Sequence, residues 1–430
     1  MSYQEPINEA WLIAKRRELH KWPEPGWAEF VSTIKAIRAM EAAGFDVKCG
    51  REVIHPDYIY GANANEVAES LSLAKTRGVT DEELARLDGV TGAVGIFRTG
   101  RPGPVVAIRC ELDCVPVQET DAADHIPNRE GFASEHKGYM HACSHEGPQA
   151  ILCGLAQWIS ENRDQLKGTI KLIFQPGEEG GRGARPMSKS GILDDVDYLY
   201  CGHFGCDAEP GELVLAPQKF LCSAKFNVNY KGQTAHSAMH PEQGHNAVMA
   251  AATGTLSAMA TPRHYKGASR INVGIIHGGE GRNVIPANAW LQCDVRGENE
   301  EVCDFMLNES IKRLKAAGDM YGCETSYSVF GQTYDFKTDP EAAEIARKAA
   351  CGVPNITKVR DSMLFGGSED GSILAKTVQA HGGKCAYLIL GSELKDAHHR
   401  SHFDFEEKYL ISLYEIYRNI VKILCAAETK

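Results

Sequence analysis

The chain has 430 residues, of which 43% are hydrophobic and 24% charged, a composition typical of a globular protein too long for one simple core. Its 46 basic and 57 acidic residues give a formal net charge of −11, which disfavours nucleic acid and anionic membranes as partners. No apolar run approaches the ~20 residues of a membrane span, and the N-terminal segment lacks the apolar block of a signal peptide. We therefore expect two domains and a cytoplasmic location.

The first half of the chain alternates helical and strand-like segments. Helical periodicity occurs at 8–21 and 32–43, and the polar segment 63–87 is predicted to be a helical insertion peripheral to the core. Further along come β-rich runs at 91–97, 105–112, 169–174 and 196–200, and an apolar helix at 150–161. Such alternation predicts a mostly parallel sheet with helices on both faces, in which ligands bind at the carboxyl ends of the strands.

The pattern changes after residue 219. Strands are predicted at 224–230, 269–276, 289–295 and 325–330, with helices at 246–260 and 302–317. This βαββαβ order is that of a two-layer ferredoxin-like domain. Helix–strand alternation then resumes, with elements at 340–350, 384–390 and 406–425. The sequence therefore predicts an α/β catalytic domain in two pieces, 1–219 and 333–430, with a smaller domain at 220–332 inserted between them.

Potential metal ligands cluster where the strand-like runs of the first piece end. Cys143 and His145 stand two residues apart, Glu178-Glu179 follows a strand and a Pro-Gly turn, and His203 ends another strand. Thiolate, imidazole and carboxylate are the groups that transition metals bind in proteins. In such a site one carboxylate can bind a metal while its neighbour acts as a base.

Each of these features also has a simpler explanation. The Cys-x-His pair is a weak signal, paired carboxylates are usually a solvated turn, and His203 could be a half-buried histidine with ordinary hydrogen bonds. The C-terminal segment AHHRSHFDF adds His398, His399 and His402, although a solvated histidine-rich loop remains an alternative. The coincidence of all these groups in one chain favours a metal site.

The chain resembles the aminoacylase/carboxypeptidase G metallopeptidases, in particular their amidohydrolase branch. Ordered matches run through essentially the whole sequence. They are GREV (50–53), TGRPGPV (99–105), MHAC (140–143), KLIFQP (171–176) followed by EEG, DDVDY (194–198), GHNA (244–247), GRNV (281–284) and FDF (403–405).

The resemblance implies a site for two divalent metal ions, with Zn²⁺, Mn²⁺ and Co²⁺ all suited to the ligands. The C-terminal ligand of the family stands four residues before the aromatic residue that is Phe403 here, which selects His399. The implied general base is Glu178, which would deprotonate metal-bound water and then protonate the leaving amine. The implied ligands are Cys143, His145, Glu179, His203 and His399.

The resemblance also assigns roles in the inserted domain, which in this family serves as a lid and dimerisation domain. His236 matches a histidine that hydrogen-bonds the developing oxyanion, typically from the partner subunit. Asn283 and Arg296 match positions that bind the free carboxylate of the substrate, although Arg296 could instead form a surface salt bridge. The segment 367–370 matches a further loop at the site. We expect a homodimer, with a second homologous subunit as an alternative partner.

Several residues depart from the pattern of the family. Where relatives usually have Cys-Gly-His-Asp-Gly-His-Thr, this chain has Ser144, Glu146 and Pro148 at the glycine, aspartate and second-histidine positions. Glu111 likewise replaces the first aspartate of an Arg-x-Asp-x-Asp motif. Because groups around metal ligands tune affinity and activity, these residues affect the prediction of metal preference and substrate.

The function implied is metal-dependent hydrolysis of the amide bond of an N-acyl amino acid such as p-aminobenzoyl-glutamate. One alternative is a hydrolase of dipeptides or auxin-type amino-acid conjugates. Another is a catalytically weakened subunit or binding protein, which the presence of Glu178 disfavours.

Overall fold

The computed structural model describes residues 6–427. These divide into two compact units. The larger unit contains the chain up to Gln218, Phe336–Phe365, and the chain from Asp370 onward. The smaller unit contains Lys219–Asp335 and Gly366–Glu369. Among the described residues, no helix combines the length and apolarity that crossing a membrane requires.

Helices and strands alternate through most of the chain. The strands are β1 (Asp46–Cys49), β2 (Ala93–Arg98), β3 (Val105–Glu111), β4 (Thr169–Gln175), β5 (Tyr198–Phe204), β6 (Glu212–Val214), β7 (Cys222–Lys231), β8 (Ala235–His236), β9 (Ser269–Gly278), β10 (Val284–Ile285), β11 (Asn288–Gly297), β12 (Glu324–Thr333), β13 (Lys358–Arg360) and β14 (Lys384–Leu390). The helices are α1 (Glu9–His20), α2 (Phe30–Ala42), α3 (Ala64–Thr76), α4 (Asp81–Leu87), α5 (Ile126–Arg129), α6 (Glu146–Glu161), α7 (Ala184–Ser188), α8 (Ala247–Met259), α9 (Glu300–Met320), α10 (Pro340–Ala349), α11 (Gly371–Ala380) and α12 (Tyr409–Cys425).

The larger unit contains a mixed eight-stranded sheet in the order β1-β2-β4-β3-β5-β14-β6-β13. Its central strands β4, β3, β5 and β14 are mutually parallel, so the predicted α/β fold with a largely parallel sheet is confirmed. Antiparallel pairing occurs between β1 and β2, between β2 and β4, and between β14 and β6.

Burial of the central strands explains their sequences. Six of the seven residues in each of β4, β5 and β14 are buried, as expected for strands covered on both faces. Helix α6 begins at Glu146, directly after His145, and packs against α12. The sheet thereby fixes the ends of β3, β4 and β5, and α6 fixes the loop that precedes it.

The polar segment after β1 forms two helices rather than one. Helix α3 is followed by Gly78, whose φ of +77° is readily adopted only by glycine. Helix α4 then begins with a capping box, in which Thr80 and Glu83 each hydrogen-bond the other's backbone N–H.

The smaller unit has the β-α-β-β-α-β order that the sequence predicts, in the series β7, α8, β9, β11, α9 and β12. Its four long strands form an antiparallel sheet in the order β12-β7-β11-β9, while β8 and β10 pair separately. Helices α8 and α9 pack on this sheet through a core of their own that includes Phe226, Leu291 and Met306.

Candidate metal centre

The predicted ligands of the larger unit lie in segments that follow buried secondary structure. Glu178 and Glu179 follow β4 after the turn at Pro176-Gly177, and His203 is the penultimate residue of β5. Cys143 and His145 immediately precede α6. Since the carboxyl ends of parallel strands meet at one edge of a sheet, this placement brings sequence-distant groups together.

Six side chains converge in three overlapping groups, in each of which the potential ligand atoms lie within 4.8 Å of one another. The groups are Cys143–His145–His203, Cys143–Glu179–His399 and His145–Glu178–Glu179. Individual distances are 3.5 Å from Cys143 Sγ to His203 Nε2 and 3.0 Å from His399 Nε2 to Glu179 Oε1. The first two groups share the thiol of Cys143, so Cys143 belongs to both potential ligand sets.

This donor set fits divalent transition metals. One group offers sulfur and two imidazole nitrogens, and the other offers sulfur, carboxylate oxygen and nitrogen. Three protein ligands for each ion would leave a position open for water or substrate, as in catalytic zinc sites. The residues present therefore fit two metal ions, with Glu178 beside them: its Oε2 lies 4.0 Å from His145 Nε2.

Hydrogen bonds orient both buried histidines toward the centre. His145 Nδ1 donates to the backbone oxygen of Asp113 at 2.9 Å, and His203 Nδ1 donates to that of Phe204 at 2.8 Å. Because a carbonyl oxygen can only accept, each Nδ1 carries a proton, and Nε2 is the nitrogen of each ring that could bind a metal.

Asp113, to which the sequence motifs assign no role, supports this arrangement. The residue is fully buried, and its Oδ2 accepts a hydrogen bond from the backbone N–H of Glu179 at 2.8 Å. Burial would raise the pKa of Asp113, but the hydrogen bond and charge of His145, together with the charge of Arg182, lower it below its ordinary value. The sequence signal that could have identified Asp113 is its position, two residues beyond the end of β3.

The carboxylates make the centre strongly attractive to positive charge. Burial lowers the pKa of His145, yet the bond to Asp113 and the charges of Glu111, Asp113 and Glu179 raise it to about 10. Burial, followed by the charges of Glu179 and Glu178, raises the pKa of the Cys143 thiol well above its ordinary value. Bound divalent cations would instead lower the pKa of the Cys143 thiol, because a coordinating thiol is deprotonated outright.

Three of the residues that depart from the family pattern have a structural explanation. Ser144 has a φ of +65°, the left-handed region that favours the usual glycine, and its Oγ donates to the Cys143 carbonyl at 2.5 Å. Pro148 occupies the third position of α6, where a backbone N–H has no partner within the helix. The longer side chain of Glu146 accepts hydrogen bonds from Arg16 Nε at 2.9 Å and His20 Nδ1 at 2.8 Å.

The three C-terminal histidines take different positions. Only His399 lies within ion-pair distance of Glu179, and its backbone N–H donates to the Ala142 carbonyl at 2.8 Å. His398 Nε2 instead accepts from the Cys206 N–H at 3.3 Å. His402 Nε2 lies 3.8 Å from Oδ1 of the exposed Asp124.

The residues assigned to substrate binding belong to the smaller unit. The β8–β10 pair sets His236 opposite Val284, next to Asn283, and His236 Nδ1 accepts two backbone hydrogen bonds at 3.2 Å. Arg296 lies apart on β11 and forms a half-exposed ion pair with Asp294 at 2.8 Å, the contact that the alternative interpretation expected. The structure thus brings His236 and Asn283 together and leaves Arg296 elsewhere in the unit.

The fold and the ligand cluster together define a metallopeptidase. The chain belongs to Peptidase family M20/M25/M40, whose model matches residues 107–423. It is accordingly a metal-dependent amide hydrolase, and the family expected from the sequence motifs is confirmed.

Comparison with individual relatives shows which hydrolases of this family are similar to the chain. The chain is 39% identical over 414 residues to a Haemophilus influenzae homolog of one subunit of p-aminobenzoyl-glutamate hydrolase, covering 96% of this chain and 98% of that one. It is 36% identical to the indole-3-acetyl-aspartic acid hydrolase of Enterobacter agglomerans, covering 92% and 91% of the two chains. A solved structure of an aminobenzoyl-glutamate utilization protein from Klebsiella pneumoniae has a TM-score of 0.82 at 31% identity, covering 96% and 94%.

Proposed function

We propose that this protein hydrolyses the amide bond between an acyl or aroyl group and an acidic amino acid, with p-aminobenzoyl-glutamate as the representative substrate. The observation that carries the proposal is the position of Glu178 beside a cluster of five potential metal ligands. Two relatives that cover more than nine-tenths of the chain are named for such substrates, one an acyl-glutamate and the other an acyl-aspartate.

Two divalent cations are proposed to bind in the cluster, held by Cys143, His145, Glu179, His203 and His399. When bound, they would polarise the amide carbonyl and lower the pKa of water in the site. Zn²⁺ and Mn²⁺ are the proposed ions, with Co²⁺ also suited to these ligands. The deep burial of His145 excludes bulk water from part of the site, which strengthens electrostatic interactions there.

Glu178 is proposed to move the proton. Its carboxylate takes a proton from the attacking water and delivers it to the nitrogen of the leaving amino acid, so the same group serves as base and then as acid. The neighbouring Glu179 is proposed as a ligand because His399 Nε2 lies 3.0 Å from it. Adjacent identical side chains thereby take different roles through their different neighbours.

The smaller unit is proposed to be a ferredoxin-like lid and dimerisation domain, inserted at 220–332 between the two pieces of the catalytic domain. Its strand β9 lies at the edge of the sheet. Apolar side chains are exposed on that strand (Ile275 and Ile276) and on α8 (Leu256, which is 76% exposed). An open edge strand beside exposed apolar side chains is typical of a pairing surface. A second copy of the chain, or a similar second subunit, is the proposed occupant.

Within that unit, His236 is proposed to hydrogen-bond the developing oxyanion, supplied to the site of the partner subunit. Asn283 and Arg296 are proposed to bind the free carboxylate of the substrate. A guanidinium suits that task because it offers two parallel N–H donors. Arg296 would exchange its ion pair with Asp294 for the substrate.

The test is a panel of substrates given to metal-loaded protein. It contains p-aminobenzoyl-glutamate, indole-3-acetyl-aspartate and neutral dipeptides, with amino-acid release as the readout. Turnover of the acidic conjugates in preference to the dipeptides supports the proposal. Inert acyl-glutamates and acyl-aspartates with active hydrolysis of neutral dipeptides would contradict the substrate class. No turnover by protein with bound metal would favour a weakened subunit or binding protein.

A further inference from the structure

Arg16, on helix α1, is a fully buried cation outside the ligand cluster. Its Nε donates to Glu146 Oε1 at 2.9 Å, and its terminal nitrogen donates to Asp404 Oδ1 at 2.8 Å. The second terminal nitrogen lies 3.3 Å from Glu407 Oε1. The guanidinium is further enclosed by the ring of Phe405, whose centroid is 4.6 Å away.

The two closest carboxylates belong to the two segments that bring ligands from opposite ends of the sequence. Glu146 directly follows His145 and begins α6, whereas Asp404 lies in the segment that follows His399. Glu146 is fully buried and Asp404 is 2% exposed, so neither carboxylate can turn into water in exchange for Arg16. The guanidinium therefore links the two segments through buried ion pairs.

A guanidinium is suited to this task by its shape. It is planar and always charged, and it presents its donors in a fixed fork, so two carboxylates bound at different edges are held in a defined relative position. A lysine at the same place would offer a single, strongly hydrated point charge. The hydrogen bond from the His399 N–H to the Ala142 carbonyl also joins the segments.

We propose that Arg16 is a positioning residue that holds the segment of Cys143 and His145 and the segment of His399 at the spacing required by the two-cation site. The inference rests on the proposed function only in taking these residues as metal ligands. Arg16 touches neither substrate nor ligand, and its effect passes through Glu146 and Asp404.

The experiment compares Arg16→Lys with Arg17→Lys. Arg17 is the matched control because it lies on the same helix and shares Glu407 as a partner, but is half-exposed and contacts neither Glu146 nor Asp404 in the described structure. The full chain is stripped of metal, its folding is checked by circular dichroism, and cation affinity is measured by competition with a chromophoric chelator. The absorption of Co²⁺ bound to the protein gives a second readout, because the thiolate band reports the environment of Cys143.

We expect Arg16→Lys to weaken cation binding by ~10–100-fold and to change the Co²⁺–thiolate spectrum, whereas Arg17→Lys alters neither. A folded Arg16→Lys protein with the affinity and spectrum of the control would overturn the inference. If Arg16→Lys does not fold, Asp404→Asn replaces it, since the amide is nearly isosteric but has no charge to hold Arg16. Unchanged cation affinity in Asp404→Asn would likewise overturn the inference. Absence of cation binding in the unsubstituted protein would overturn the proposed function itself.

Discussion

The carboxylate of Asp113 accepts a hydrogen bond from the backbone N–H of Glu179 at 2.8 Å, while the backbone carbonyl of Asp113 accepts one from His145 Nδ1 at 2.9 Å. One buried residue thus fixes two proposed metal ligands that lie more than thirty positions apart in the sequence. Its side chain and its main chain each orient a different ligand.

This relationship predicts the effect of Asp113→Asn. An asparagine that turns its oxygen to the Glu179 N–H must turn its NH₂ toward His145 Nδ1, which is itself a donor, and the negative charge is lost. We expect metal affinity to fall by ~10–100-fold, measured as metal retained after dialysis against a chelator. Asp121→Asn, at an exposed carboxylate, is the control and should retain metal as the unsubstituted protein does. Equal retention by both variants would remove Asp113 from the support of the site.

Glu178→Gln tests whether Glu178 transfers the proton while the adjacent Glu179 binds metal. Because Glu178 is proposed to carry a proton rather than a metal ion, its amide should keep metal content near two ions per chain while hydrolysis falls by at least ~10². Glu179→Gln is the matched variant and should lose metal together with activity. Parallel loss of metal and activity in Glu178→Gln would instead make that residue a ligand.

His236→Ala should lower turnover without changing metal content, because the proposed role is stabilisation of the oxyanion. His240→Ala, on an exposed histidine of the same segment, is the control. An unchanged rate in His236→Ala would exclude the residue from the reaction.

Mixing the inactive variants tests whether His236 acts across subunits. A dimer that combines Glu178→Gln with His236→Ala contains one site with an intact Glu178 and an intact histidine from the partner. Activity should therefore reappear when the two proteins are unfolded together, or exchanged, and reassembled. If His236 acts within its own subunit, both sites stay impaired and the mixture stays inactive.

The buried pair of His20 and Glu146 predicts a pH-dependent contribution to stability. Burial and the charge of Arg16 lower the pKa of His20, but hydrogen bonds to Glu119 and Glu146 outweigh them and raise it to about 9. A histidine in the unfolded chain has a pKa of about 6.5. The contribution is therefore fully present below about pH 6.5 and is lost as the pH rises through about 9.

We accordingly expect His20→Gln to destabilise the metal-free protein more at pH 6 than at pH 9.5. The pH-dependent part of the difference should be on the order of 3 kcal/mol, which follows from the displacement of the pKa. Thermal or denaturant unfolding of both proteins across this range measures it. A difference that does not vary with pH would mean that His20 is neutral in the folded protein.

Much of this architecture could be predicted from the sequence because it depends on local patterns. Buried parallel strands give continuous apolar runs, and the groups that follow them, such as Glu178 and His203, must meet at one edge of the sheet. Strand β1 has only four residues and carries too little pattern for detection. Helix α11 was also missed, since it begins at a glycine and no side chain caps its first turn.

The supporting residues could not be predicted for a different reason. Arg16 and Asp404 are separated by 388 positions, and no local pattern relates them. Asp113 lies in a recognised motif, but only the fold places it beneath both His145 and Glu179. The departures from the family pattern at Ser144 and Glu146 indicate altered surroundings of the ligands. They do not reveal that Ser144 adopts a left-handed backbone conformation or that Glu146 pairs with the buried Arg16.

Hydrolysis of p-aminobenzoyl-glutamate by protein of known metal content tests the central claim most directly. We expect that the active protein holds two divalent ions per chain, that chelation abolishes release of glutamate, and that Zn²⁺, Mn²⁺ or Co²⁺ restores it. Glutamate release that persists at full rate after the metal has been removed would show that hydrolysis does not depend on a metal ion.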